Sequence, residues 1–229
     1  MGSWLQTAPG RLLLAWEQER LDHAVADVFG YHALQLGLPE LEGLRANRMP
    51  HRWLTVDAVL TPAAGLEQAP TAFSLHCEFD ALPFPNASID LVVLPHSLEL
   101  ARDPHQTLRE VERVLVPEGR VVIVGFNPAS LWGLRQRAGH MKRGMGLHRE
   151  QNLYLPSGGD FIGYWRLRDW LRLLGFEVEA ARFGCWRPPL KSEAWLERFA
   201  WMDRVATVGG RCWVRCTSWL PSSGCAACD

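Results

Sequence analysis

The sequence predicts an α/β domain built on a mostly parallel sheet with helices on both faces. Two observations carry this. Strand-like and helix-like stretches alternate along most of the chain. Residues 88–94, SIDLVVL, also form a continuous apolar run, the pattern of a strand covered on both faces. With 229 residues and 48% hydrophobic content, the chain can bury one full core.

The elements follow in order. Residues 10–29 place Leu13, Leu14, Trp16, Leu21, Val25 and Val28 at close to helical spacing, which predicts one or two amphipathic helices ahead of the sheet. HALQLG at 32–37 reads as a first strand. RWLTVDA at 52–58 reads as a second, and TAFSLHCEF at 71–79 as a third. After the apolar run, PHQTLREVERVLV puts Leu108, Val111, Val114 and Leu115 on one helical face, with Pro104 suited to the first turn. PEGRVVIVGF is a turn and a buried strand, and RLRDWLRLL a helix closed by Gly175 at its C′ position. FEVEAARFG alternates as a strand, SEAWLERFAWMDRV is helical, and GRCWVRCT is the closing strand. No internal repeat and no Gly/Ser/Pro-rich linker divides the chain. It is read as a helical segment over 1–30, one domain over 31–216 with a lid-like insertion at 127–163, and a flexible tail at 217–229.

The charge balance of −1 disfavours bulk affinity for nucleic acid. No apolar run approaches the ~20 residues of a membrane span, and Arg11, Glu17 and Glu19 interrupt the opening stretch in a way unsuited to a signal peptide. The expectation is a cytoplasmic protein with no membrane partner. Cys212, Cys216, Cys225 and Cys228 have a zinc-like C-x3-C…C-x2-C spacing. The first pair falls on one face of the closing strand and the second in the tail, so buried or tail thiols are favoured over a metal site. Trp195, Phe199 and Met202 share helical spacing and read as core.

In a parallel sheet the ligand lies beyond the carboxyl ends of the strands. The residues there are Gly37, Asp57, Asp80, Pro95, His96 and Asn127. Asp57 stands twenty residues after Gly37, a spacing that suits a carboxylate accepting from both ribose hydroxyls of a nucleoside. Asp80 could accept from an exocyclic adenine amine. Taken singly, each is equally well a turn former or helix cap.

Residues 79–126 narrow this. Asp80-Ala81, Leu82-Pro83-Phe84, Asp90, Glu110, Arg113-Val114-Leu115 and Pro117-Glu118-Gly119 stand in the register of the class I S-adenosylmethionine-dependent methyltransferases, and the stretch resembles the group called methyltransferase type 11. LRDWLRLLGFEV continues the resemblance more loosely. It implies a Rossmann-like fold with seven strands, the last antiparallel, and S-adenosylmethionine as methyl donor. By position it implies Asp80 at the adenine amine and Ala81 or Leu82 at the ring edge. Asp57 falls at the ribose, and Leu94 and Pro95 along the methionine part.

The opening loop departs from the family pattern. Gln35 replaces an acid and Gly37 is kept, but Pro39 and Leu41 stand in place of two further glycines. Gln35 could still offer its carbonyl to an ammonium, without charge. With no pyrophosphate to cradle, such a donor tolerates the loss better than a nicotinamide dinucleotide would, which disfavours an oxidoreductase. The alternative to an enzyme is a binding or regulatory protein on the same fold with weakened cofactor binding.

Methyl transfer needs a base only if the acceptor must lose a proton. His96 is the candidate base, with Glu99 and His105 behind it. Asn127, Trp132 and Arg135, in the loop after the fifth strand, are candidates to line the pocket of a small-molecule acceptor. Ser130 is a candidate cap for the helix that follows. The basic run over 128–149 reads as a solvated face or lid, and a nucleic-acid role for it is disfavoured.

Overall fold

A computed structural model describes residues 2–57, 73–136, 161–184, 193–199 and 211–218. Most of the lid-like insertion, most of the tail, Cys225 and Cys228 lie outside the described residues. Two N-terminal helices, α1 (Gly2–Leu5) and α2 (Ala8–Val25), precede β1 (His32–Leu36), β2 (His51–Val56), β3 (Phe73–His76) and β4 (Ile89–Pro95). Helices α3 (Ser97–Leu100) and α4 (Pro104–Val114) lead to β5 (Leu115–Gly125). Helix α5 (Tyr164–Leu173), β6 (Phe176–Gly184), α6 (Glu193–Arg198) and β7 (Arg211–Ser218) complete the chain. A helical stretch also spans residues 131–136.

The sheet has seven strands in the order β3-β2-β1-β4-β5-β7-β6. Strand β7 runs antiparallel to both neighbours, and the remaining pairs are parallel. The seven-stranded, Rossmann-like architecture with an antiparallel last strand is the one the sequence predicts.

The apolar runs are explained by the two-residue period of a strand. Val92 and Leu94 of β4, with Val121 and Ile123 of β5, pack on one face against Leu108, Val111 and Val114 of α4 and Leu167 and Leu171 of α5. Leu91, Val93, Val122 and Val124 point to the other face, against Leu21, Ala24 and Val25 of α2 and Leu38, Leu41 and Leu44 of the loop after β1. Both faces are buried, so neither can be polar.

Local signals set the helix ends. Asp103 caps α4, its Oδ1 accepting from the backbone N–H groups of His105 and Gln106. Thr7 caps α2, which begins two residues before the predicted start and carries Pro9 in its first turn. Gly175, at φ +79°, ends α5. Trp195 differs from its expected core position. It is half-exposed on α6, stacked on Phe199 with the Arg198 guanidinium over its ring, because this short helix presents it to solvent.

Asp90, Glu110 and Arg113 of the 79–126 stretch are structural staples. The Glu110 carboxylate accepts from the Leu82 N–H and pairs with Arg113 at 2.8 Å. Arg113 donates to the carbonyls of Leu82 and Phe84 and to Asn86 Oδ1. One guanidinium thereby holds the whole loop between β3 and β4 against α4. Asp90, at the opposite end of the sheet, accepts from the N–H groups of Tyr31 and His32 and aligns β1 with β4. An ammonium cannot reproduce the planar fork. Arg113→Lys is therefore expected to lower stability by about 1–3 kcal/mol in urea unfolding.

Candidate functional site

The carboxyl ends of β2 and β3 and the entry to α4 border an open cleft with about 310 Å³ of empty space. Asp57 follows β2 directly, and Asp80 lies four residues past β3. Both line the cleft, with Glu78, Phe79, Arg102 and Asp103. Parallel pairing of the two strands, Val56 beside His76, brings the two aspartates to the same end. Four carboxylates face one guanidinium, so the local field favours a cationic ligand or one rich in N–H and O–H donors, and opposes a phosphate. The backbone donors of the turn are already engaged: Ala81 N–H reaches the Glu78 carbonyl at 3.3 Å and Leu82 N–H reaches Glu110. Side chains, Asp80 first, are what this turn offers a ligand.

The loop after β1 is closed on itself. Gln35 is 4% exposed, and its amide nitrogen reaches the carbonyls of Gly37, Leu38 and Leu41 at 3.1, 3.1 and 2.7 Å. Its Oε1 accepts from the Gly43 N–H at 2.9 Å, so both ends of the amide contact the loop's own backbone. The loop's carbonyls point inward and need a donor, which an ionised acid cannot be. The amide is the residue that fits. Gly37 has φ +74°, and a Cβ there would lie 3.3 Å from the Phe79 ring, so both conformation and space call for glycine. Leu38, Leu41 and Leu44 are core residues rather than a cradle.

At the end of β4, Leu94 and Pro95 are buried, and His96, the next residue, takes a left-handed conformation, φ 56°. Its ring is fully enclosed. Nε2 meets Glu17 Oε1 of α2 at 2.9 Å, and Nδ1 meets Glu99 Oε2 of α3 at 2.9 Å. Burial, the largest influence, works against the charged ring. The carboxylates of Glu17 and then Glu99 outweigh it and lift its pKa to about 9. Both nitrogens are occupied, so His96 positions other groups rather than facing a cleft. Glu99 also accepts, through Oε1, from the Phe126 N–H at the end of β5.

The loop after β5 is anchored inward. Trp132 is 1% exposed and packs with Leu13 and Phe126, edge-on to Trp4 at 6.2 Å. It belongs to an aromatic cluster that seats the N-terminal helices over the ends of β4 and β5. Asn127 Oδ1 accepts from the Ala129 N–H, and Ser130 Oγ accepts from the Gly133 N–H, the expected cap. Arg135 is exposed. Of the sequence-predicted site residues, the structure thus brings Asp57 and Asp80 together. Gln35, Gly37, Leu94, Pro95, His96, Asn127 and Trp132 are buried.

Sequence reasoning passed over Glu17. Its signal was there: it stands four residues after Leu13 and four before Leu21, a charge inside an apolar stripe.

Residues 43–123 match the family described as methyltransferase domain. An uncharacterized protein of Escherichia coli strain K12, YafS, is 32% identical over 182 residues, covering 79% of this chain and 67% of that protein. The malonyl-[acyl-carrier protein] O-methyltransferase of Halorhodospira halophila is 41% identical over 58 residues, covering 25% of this chain and 20% of that enzyme. The fold is shared with a chain of the complex between the Haloferax volcanii Trm112 methyltransferase activator and a methyltransferase. The TM-score is 0.65 at 17% identity, with 96% of each chain covered. The chain belongs to the methyltransferase-domain family. It is a methyltransferase whose acceptor these relatives leave unidentified.

Two predictions follow from the buried groups. His96 is held above its ordinary pKa of 6.5 in the folded state. The stability it contributes is complete below about 6.5 and is lost as pH rises through about 9. Urea unfolding between pH 6 and 10 should show a fall of at most about 3 kcal/mol that His96→Gln lacks. Gln35→Glu would set a carboxylate against three carbonyls. At pH 7 it is expected to cost about 3–5 kcal/mol, partly recovered at pH 5 as the carboxyl gains a proton to donate.

Proposed function

We propose that the methyl donor is S-adenosylmethionine, that its adenosine part is held in the Asp57–Asp80 cleft, and that the acceptor is a small molecule. The convergence of Asp57 and Asp80 on one acidic cleft carries this reading. The donor set fits the group. Paired ribose hydroxyls and an adenine amine are donors that carboxylates accept, and the negative field suits a sulfonium cation. When bound, the donor supplies an already activated methyl group. The chain's own residues then orient the two partners and exclude water.

In this reading Asp57 accepts from the ribose and Asp80 from the adenine amine, with Phe79 beside them. Arg113 and Glu110 hold the turn that carries Asp80 at a fixed height over the cleft. Recognition rests on the cleft more than on the glycine loop, because Gly37, Leu94 and Pro95 are buried. That distribution accounts for the tolerance of Pro39 and Leu41.

Calorimetry with S-adenosylhomocysteine tests the assignment. The full chain should bind it, and Asp80→Ala should weaken binding about tenfold or more, the loss expected for hydrogen bonds to a charged group. Absence of heat at millimolar ligand, or unchanged affinity in Asp80→Ala, would overturn it.

A further inference from the structure

A second cleft, open to solvent, lies at the same end of the sheet between the end of β5, α3 and α5. Leu98, Ile123, Val124, Ile162 and Leu167 give it apolar walls. One ionisable group stands among them, Glu99, only 7% exposed. A carboxylate in such a wall costs several kcal/mol unless it is held, and this one is held from three sides. His96 Nδ1 lies 2.9 Å from Oε2, and the Phe126 N–H donates to Oε1. Gly125 supplies the remaining space, since a Cβ there would come within 3.1 Å of Oε1. Glu17 in turn fixes His96 from α2. Each Glu99 oxygen accepts from one of these groups, and a carboxylate oxygen can accept twice.

The geometry points to this cleft as the acceptor subsite, with Glu99 receiving the proton of a hydroxyl carried by an otherwise apolar ring or chain. The inference rests on the methyl-transfer reading above and adds the substrate class. Apolar walls select an apolar body. Glu99 is the one charged side chain among the lining residues, so a group with a single proton to donate is matched. An ammonium, with three, would be left with unsatisfied donors. A carboxylate or phosphate would be repelled. In the transfer, Glu99 takes the proton as the acceptor O–H bond breaks and the oxygen bonds to the methyl carbon. The C–S bond breaks at the same time, its electron pair staying on the sulfur of the sulfonium donor. Glu99 is the catalytic residue of this step, and His96 and Glu17 are positioning residues.

Equilibrium dialysis at pH 7 against 1-naphthol and naphthalene, with no donor present, tests the subsite. The wild-type chain should hold 1-naphthol about tenfold tighter than naphthalene, the preference a hydrogen bond to a charged acceptor confers. Glu99→Gln should reduce that preference several-fold and leave naphthalene unchanged. Ile162→Trp, which fills the cleft without touching the polar groups, should abolish binding of both. Glu17→Gln should lower the His96 titration midpoint, followed by 15N NMR, and weaken the naphthol preference with it. Equal affinities in the wild type, or a preference that survives Glu99→Gln, would overturn the inference. S-adenosylhomocysteine titrations on the same variants keep the two readings apart. Silence toward that ligand with the naphthol preference intact would sink the donor assignment and leave Glu99 as a ligand acceptor. Normal binding of that ligand with no naphthol preference would sink only the subsite.

Discussion

Three separate elements of this molecule meet on one imidazole. His96 sits at the end of β4, Glu17 reaches it from α2, and Glu99 reaches it from α3 and passes the connection to the end of β5. A lone carboxylate or histidine at this depth would lose its charge or stay in solvent. Together the three offset one another's desolvation, so each is placed only if the other two are. The N-terminal helices are thereby seated over the carboxyl ends of the strands, and the aromatic cluster of Trp4, Phe126 and Trp132 closes around the joint. The left-handed conformation of His96 costs of order 1–3 kcal/mol for a residue with a side chain, and it is the geometry that aims the ring at both carboxylates.

The loop after β1 shows the same interdependence in neutral form. Gln35, Pro39 and Leu41 look like three separate losses from a glycine-rich ligand loop. In the structure they are one arrangement. The leucines turn the loop into core, its carbonyls are drawn inward, and the amide of Gln35 supplies donors for them while its oxygen takes the Gly43 N–H. An acid retained at position 35 would conflict with those carbonyls. Gln35 and the leucines are coupled through hydrogen-bond polarity.

Both clefts use charge sparingly and differently. At the first, several partly exposed carboxylates create a field suited to a cation. At the second, a single buried carboxylate stands in an apolar wall, where the lower dielectric makes each hydrogen bond to it count for more. The sheet places both at its carboxyl end, and α3, which directly follows β4, carries Glu99 into the second.

The sequence by itself determined the architecture and the positions of Asp57 and Asp80 at one end of the sheet. Apolar runs in β4 and β5, Pro104 in the first turn of α4 and Gly175 are local signals, since period, fixed φ and left-handed φ act within a few residues. The position of Asp80 was readable because it lies in one continuous family-like stretch, and that of Asp57 because it ends a strand. Only the tertiary structure decided the roles of Gln35, His96 and Trp132. Gln35 meets carbonyls that turn inward only once the leucines pack. His96 is flanked by a carboxylate 79 residues earlier in the chain. Trp132 is core because Trp4 and Leu13 arrive from the other end of the sequence. A side chain's charge state and access depend on what lies within a few ångströms in space, and for these residues those neighbours are far away along the chain.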